Sequence, residues 1–234
     1  MRKKKKLYEG KTKKIYAIDE QEQLIQEFKD DVSSADGQIT GTIKGKGAVN
    51  KQISSILFEY LEGFHIQTHF IKKLGPREML IKRLEMIPVV IMTRNVADGP
   101  FCEQYGLEQG EELKCPIFEF CLKDKERQNP MINQSHIIAF KLATVDEVKM
   151  IERMTSKINA VLKSYFLRRN IKLIDFKLEF GRYKNKINLG DEISPDTCSL
   201  WDVATGTKME TNVSGTDTGD VEKTYEELKK RLIS

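Results

Sequence analysis

Apolar and polar positions repeat with two different periods along the 234-residue chain. Near the start, Leu7–Glu9, Lys14–Ala17 and Leu24–Phe28 read as short strands, the first two flanking a turn at Gly10–Lys13. A helical period follows: Val49, Ile53, Ile56, Leu57, Tyr60 and Leu61 share one face, and Gly63 suits the stop. Strands are predicted around Thr68–Lys73, Met79–Arg83 and Val89–Asn95, with Gly75–Pro76 marking a turn. A long helix is predicted over roughly Val145–Arg169. Thr144 and Glu147 form a capping box before it, and Val148, Ile151, Ile158, Val161, Leu162 and Tyr165 supply its buried stripe. A last helix covers about Val221–Leu232. Strands early and helices with a hairpin later predict an α+β chain of two lobes. The expected division is 1–85, rich in sheet, and 86–234, α+β, with the boundary near Leu84–Pro88.

The segment Ile171–Glu192 departs from ordinary amphipathic patterning. In an extended strand Ile174, Phe176, Leu178 and Phe180 share one face, and Asp175, Lys177 and Glu179 share the other. The apolar face is core. Three alternating charges spaced by roughly 6.5–7 Å suit a small polyanionic ligand with its metal. The chain then turns at Lys184–Lys186. A three-residue loop pairs position 183 with 187 and sets Asp191 opposite Glu179; a two-residue loop sets Asp191 opposite Leu178, facing the core. The charge favours the first register, and two facing carboxylates suit Mg²⁺. An exposed cross-strand charge network is the competing explanation.

Composition narrows the classes. With 39 basic and 35 acidic residues the net charge is only +4, and the one dense basic run is Arg2–Lys6. That is too little concentrated charge for a nucleic-acid binder, and a solvated terminus is the better reading of the run. The four cysteines (102, 115, 121 and 198) form no C-x-x-C pair, and His65, His69 and His136 stand at no zinc spacing to them. No leader is read, so reduced thiols and a cytoplasmic location are expected. The longest apolar run, Met86–Met92, contains Pro88 and is far short of a membrane span of ~20 residues.

Weaker signals complete the set. Gly10, Lys11, Thr12 and Lys13 form a turn able to cradle phosphate through backbone N–H groups and ammonium charge, although it is not a Walker A loop. Ser33 and Asp36 lie in a polar Ser33–Gly37 loop that either binds substrate or is a side-chain-stabilised turn. Arg94 ends an apolar strand, where it clamps an anion or pairs with a structural carboxylate.

Taken in order, LYEGKTKKIY (Leu7–Tyr16), SSADG (Ser33–Gly37), the KG-x-VN helix start (Lys46–Asn50), PVVIMTRNVADG (Pro88–Gly99), NPMIN (Asn129–Asn133) and LIDFKLEFG…LGDEISPD (Leu173–Asp196) resemble the SAICAR synthetase family along nearly the whole chain. The resemblance implies a SAICAR synthase-like α+β fold, with a mainly antiparallel N-terminal lobe and an ATP cleft between the lobes. It implies an ATP-dependent ligase joining L-aspartate to a carboxylated imidazole ribonucleotide, with ATP and Mg²⁺ as cofactors and no nucleic-acid or membrane partner. On the same footing, Lys11 and Lys13, with the turn's amides, hold ATP phosphates, and Lys82 and Met86 line the nucleotide pocket. Glu179 and Asp191 ligate Mg²⁺. Arg94, Asp175 and Lys177 meet the imidazole carboxylate, with Asp36, Lys123 and Asn133 nearby. The chain departs from the family at Pro100, where serine is common, and at Ser199, where arginine is common, both positions associated with the ribonucleotide's phosphate. Asn129 likewise replaces a common acidic residue. The oligomeric state is left open between a single chain and a homo-oligomer. A kinase is the rival enzyme, since Asp175-Phe176-Lys177 echoes D-F-G, but the H-R-D loop is missing. An RNA-binding module would need aromatic stacking groups that no motif here supplies.

Overall fold

The computed structural model describes residues 1–33, 39–124, 126–211 and 219–233, with the backbone alone for Ser33, Ile39 and Thr40. In chain order the elements are β1 (Lys6–Glu9), β2 (Lys13–Ala17), β3 (Gln23–Phe28), β4 (Asp31–Ser33), β5 (Ile39–Thr42), α1 (Lys46–Gly63), β6 (Phe70–Lys73), β7 (Glu78–Lys82) and β8 (Glu85–Val96). They continue with α2 (Pro100–Tyr105), β9 (Glu112–Leu122), β10 (Met131–Ile132), α3 (Gln134–Ala139), α4 (Val145–Leu167), β11 (Ile171–Tyr183), β12 (Lys186–Leu189), β13 (Cys198–Asp202) and α5 (Gly219–Ile233). Among the described residues no helix is long and apolar enough to cross a membrane.

The chain folds as two compact units, the first comprising Met1–Leu84, Glu192–Asp196 and Met209–Ser234, the second Glu85–Asp191 and Thr197–Lys208. The chain therefore re-enters the first unit twice after leaving it at Leu84.

In the first unit five antiparallel strands run in the order β1-β2-β3-β7-β6. β3 is central and pairs Leu24 with Ile81 and Ile25 with Leu80. Helix α1 covers β3, β6 and β7, burying Ile53, Leu57, Phe58 and Leu61. Fully burying each such side chain stabilises the fold by about 1.5–3 kcal/mol. Val49, Ile56 and Tyr60, expected on that face, are half-buried instead, and polar Asn50, Ser54 and Ser55 are buried with it. Asp30 caps the helix from a distance: its carboxylate accepts from Gly45 N–H (3.2 Å) and Gly47 N–H (2.8 Å), favourable at a helix N-terminus. Gly47 is required by space, because a Cβ there would lie 2.7 Å from the Phe28 carbonyl oxygen. Helix α5 packs on α1, and Val221 and Tyr225 join Val32 and Ile43 in a small core.

In the second unit the sheet order is β10-β9-β8-β11-β12, with β13 also on β11, and every pair is antiparallel. The predicted capping box opens α4: Glu147 N–H donates to Thr144 Oγ1 (3.2 Å) and Thr144 N–H to Glu147 Oε2 (2.8 Å). The helix lies along β11, burying Val148, Ile151, Ile158, Leu162 and Tyr165; Phe166 is buried as well, while Val161 is half-buried.

The hairpin register differs from expectation. Tyr183 pairs with Lys186, so the loop has two residues, Lys184 and Asn185, both with positive φ (49° and 60°) as a tight hairpin requires. The cost assigned to that register was an Asp191 forced into the core. It does not arise, because β12 ends at Leu189 and Asp191, at φ 61°, leaves the strand half-buried.

Candidate functional site

The first unit places the lysine turn against a buried carboxylate. Gly10 N–H bonds the Lys13 carbonyl (2.9 Å), and Lys29 fastens the turn from outside, its N–H on the Thr12 carbonyl (2.7 Å) and its ammonium on the Gly10 carbonyl (3.2 Å). Lys11 points to solvent, whereas Lys13 is buried and donates to Glu192 Oε1 at 3.0 Å. Thr12 Oγ1 donates to the same oxygen (2.6 Å) and Ser194 Oγ to Oε2 (2.7 Å). Four residues on, Asp196 accepts from Lys46 Nζ (2.5 Å), Asn50 Nδ2 (2.8 Å) and the Tyr225 hydroxyl (2.9 Å). Burial pushes the Asp196 carboxyl above its usual range, against the pull of Lys46, and pushes the Tyr225 hydroxyl well above its own. Lys82, at the end of β7, donates to the Thr68 carbonyl (2.7 Å). Ser33 contributes backbone to β4, and its side chain and Asp36 lie outside the described residues.

The second unit carries a charged sheet face, as the alternation in β11 predicts. Ile174, Phe176, Leu178 and Phe180 are fully buried, while Asp175 and Glu179 are half-buried and Lys177 is exposed on the opposite face. Register brings Arg94 of β8 beside Asp175, and Met92 beside both Lys177 and Glu119. Arg94 Nε donates to Glu119 (2.6 Å), its NH1 reaches Asp175 at 3.5 Å, and its guanidinium lies 4.7 Å from the Phe101 ring centroid. The carboxylate partner, one of the two options for Arg94, is thus present. Burial raises the Asp175 carboxyl, while Ser199 and Arg94 oppose the shift. Ser199 Oγ donates to Asp175 Oδ1 (2.8 Å), so this serine steadies the half-buried carboxylate. Pro100 opens α2 after Gly99.

Lys123 Nζ bonds Glu179 Oε2 at 2.6 Å, and Gly190 N–H bonds the Glu179 carbonyl (2.9 Å), which brings Asp191 one residue from Glu179's partner. Met86 is exposed on β8 opposite Gly181. Asn133 caps α3, accepting from His136 N–H (3.1 Å), so its side chain has a structural task. The sequence motifs assign no individual role to Glu192, Ser194, Asp196, Lys46, Asn50 or Glu119, which the structure brings into these networks. Glu119, flanked by Phe118 and Phe120, carried a legible signal: a charge in an apolar strand.

The SAICAR synthetase family model matches residues 6–232. The phosphoribosylaminoimidazole-succinocarboxamide synthase of Chloroherpeton thalassium is 46% identical over 233 residues, covering 100% of this chain and 99% of its own. The crystal structure of the synthase of the same name from Ehrlichia chaffeensis superposes with a TM-score of 0.91 at 38% identity, covering 98% of each chain. A SAICAR synthetase solved in complex with ADP gives 0.91 at 42% identity over 96% of each. With a match of that extent in sequence and in fold, the chain belongs to the SAICAR synthetase family.

Proposed function

We propose that the ligation characteristic of this family proceeds here through an acyl phosphate, with named residues of each unit in distinct roles. The chain is an ATP-dependent carbon–nitrogen ligase of purine biosynthesis, joining L-aspartate to the imidazole carboxylate ribonucleotide with release of ADP and phosphate. A free carboxylate resists amide formation because oxide is a poor leaving group. One carboxylate oxygen therefore attacks the γ-phosphorus of ATP and ADP departs. The aspartate amine then attacks the acyl carbon, the carbon–oxygen bond to phosphate breaks, and the amine loses a proton. Catalysis of this kind rests on positioning and on offsetting charge.

The observation that carries the reading is the charged face of β11, with Asp175, Lys177 and Glu179 opposite fully buried neighbours. Lys177 guides the reacting carboxylate, and Asp175 with Arg94 orients the imidazole ring. Lys11, Lys13 and the amides of Gly10–Lys13 hold phosphate, and Lys82 and the backbone near Met86 line the nucleotide pocket. Ser33, Asp36, Lys123 and Asn133 serve the substrates. Glu179 and Asp191 would hold Mg²⁺: they are hard carboxylates, Asp191 follows Gly190, whose N–H bonds the Glu179 backbone carbonyl, and that ion takes one or two carboxylates plus phosphate oxygens. When bound, it offsets charge on the transferring group. The reaction takes place in the cytoplasm with small-molecule substrates. Following ADP release with the ribonucleotide and aspartate supplied singly and together tests the proposal. The ligase needs both; release with one acceptor alone would indicate a kinase.

A further inference from the structure

We propose that Glu192 is a positioning residue for Lys13, setting its ammonium for phosphate before the nucleotide arrives; the inference rests on the phosphate-binding reading of the Gly10–Lys13 turn. The Glu192 side chain is 1% exposed and that of Lys13 10%. A carboxylate so buried is costly without a cation, and the pair is far harder to break than a surface one. Both Glu192 oxygens are engaged, Oε1 by Thr12 Oγ1 and Lys13 Nζ and Oε2 by Ser194 Oγ.

The support behind the carboxylate is rigid. Ser54 Oγ on α1 accepts from Ile193 N–H (3.3 Å), Ser194 Oγ accepts from Asp196 N–H (3.2 Å), and Asp196 is fixed by Lys46, Asn50 and Tyr225. The five-residue segment Glu192–Asp196 is thus tied to α1 and α5 at several points, and the lysine is the longer, more adaptable partner. A free lysine side chain loses up to about 2 kcal/mol of rotamer entropy when fixed. Here that loss falls on folding and not on ligand binding, which is preorganisation. Protein kinases use the same device, a glutamate that holds the phosphate-binding lysine in place.

The test compares Glu192→Gln, Lys13→Met and the double variant, each first shown to be folded by circular dichroism and thermal melting. Glu192→Gln is expected to raise the KM for ATP about tenfold while the KM for aspartate stays unchanged, and to add nothing in the Lys13→Met background, the mark of coupled residues. An unchanged or lowered KM for ATP in Glu192→Gln, or fully additive effects, overturns the inference provided that Lys13→Met itself weakens ATP. If Lys13→Met leaves the KM for ATP unaltered, the phosphate reading of the turn fails and takes this inference with it. Should Glu192→Gln not fold, Ser194→Ala, which frees one carboxylate oxygen, is expected to raise the KM for ATP in the same direction by a smaller factor. No shift in that variant counts against the proposal.

Discussion

The two units handle charge in opposite ways. In the first, Lys13, Glu192, Lys46 and Asp196 are sunk into the interior and locked to one another through hydroxyl and amide groups. In the second, Asp175, Lys177 and Glu179 stand in a row on one face of a sheet whose other face is packed solid. Buried polar groups that depend on each other cannot be altered without loss of stability, whereas a face resting on an independent core can be. The expectation is that function and stability separate in the second unit and are entangled in the first.

The largest effect should come from the open face and from Asp191, just past the end of β12. Lys177→Ala, Glu179→Gln and Asp191→Asn are each expected to lower turnover by roughly 10²–10⁴, the scale of losing one charge-stabilising group, with the melting temperature within a few degrees of the parent. Calorimetry beside steady-state assay checks this, and a large drop in melting temperature would erase the contrast between the units. Next is Asp196→Ala, which strands Lys46 in the interior and should cost about 3–5 kcal/mol, seen as a fall in melting temperature on the order of 10 °C or more. An undisturbed melt would show that this network is not structural.

The third effect concerns pH. Arg182 donates to both oxygens of Glu147 (2.5 and 3.0 Å) and to Glu85 (2.9 Å), and its hydrogen bonds lower the Glu147 carboxyl from 4.5 to about 2. Between those values the unfolded chain binds a proton that the folded chain does not, so this stabilisation is complete above 4.5 and fades as pH falls toward 2. Melts of Glu147→Gln and parent should differ at pH 6 and converge near pH 2; a constant gap would contradict the assignment. The smallest effect is at the hairpin. Asn185→Ala should cost about 1 kcal/mol through the left-handed backbone, a few degrees in the melt, and Asn185→Gly should restore it.

Legibility in the sequence follows the same contrast. The β11 face could be read because a strand's period of two sorts residues without knowledge of their neighbours, and Thr144 with Glu147 could be read because a capping box is local. The lysine turn could be located, but its partner could not, since Thr12 and Glu192 are 180 positions apart. Asn50 and Ser54 look like the polar side of an amphipathic helix until Asp196 and Ile193 are seen against them. Strand β9 escaped because Pro116 interrupts it; the proline is exposed and lies between the paired residues Glu112 and Ile117, where no ladder donor is required. The loop length at Lys184–Asn185 was misjudged by assuming that the strand ran through Asp191.

The interrupted path of the chain has a practical outcome for anyone dissecting the enzyme. A fragment ending at Leu84 would keep Lys13 and Lys46 but lose Glu192, Asp196 and the α5 cover over α1, leaving two ammonium groups without their carboxylates in the interior. Such a half should not be obtainable as an autonomous module, and neither gene fission nor a domain graft at that point would yield one. Exchange of parts between relatives needs four matched crossovers, or none.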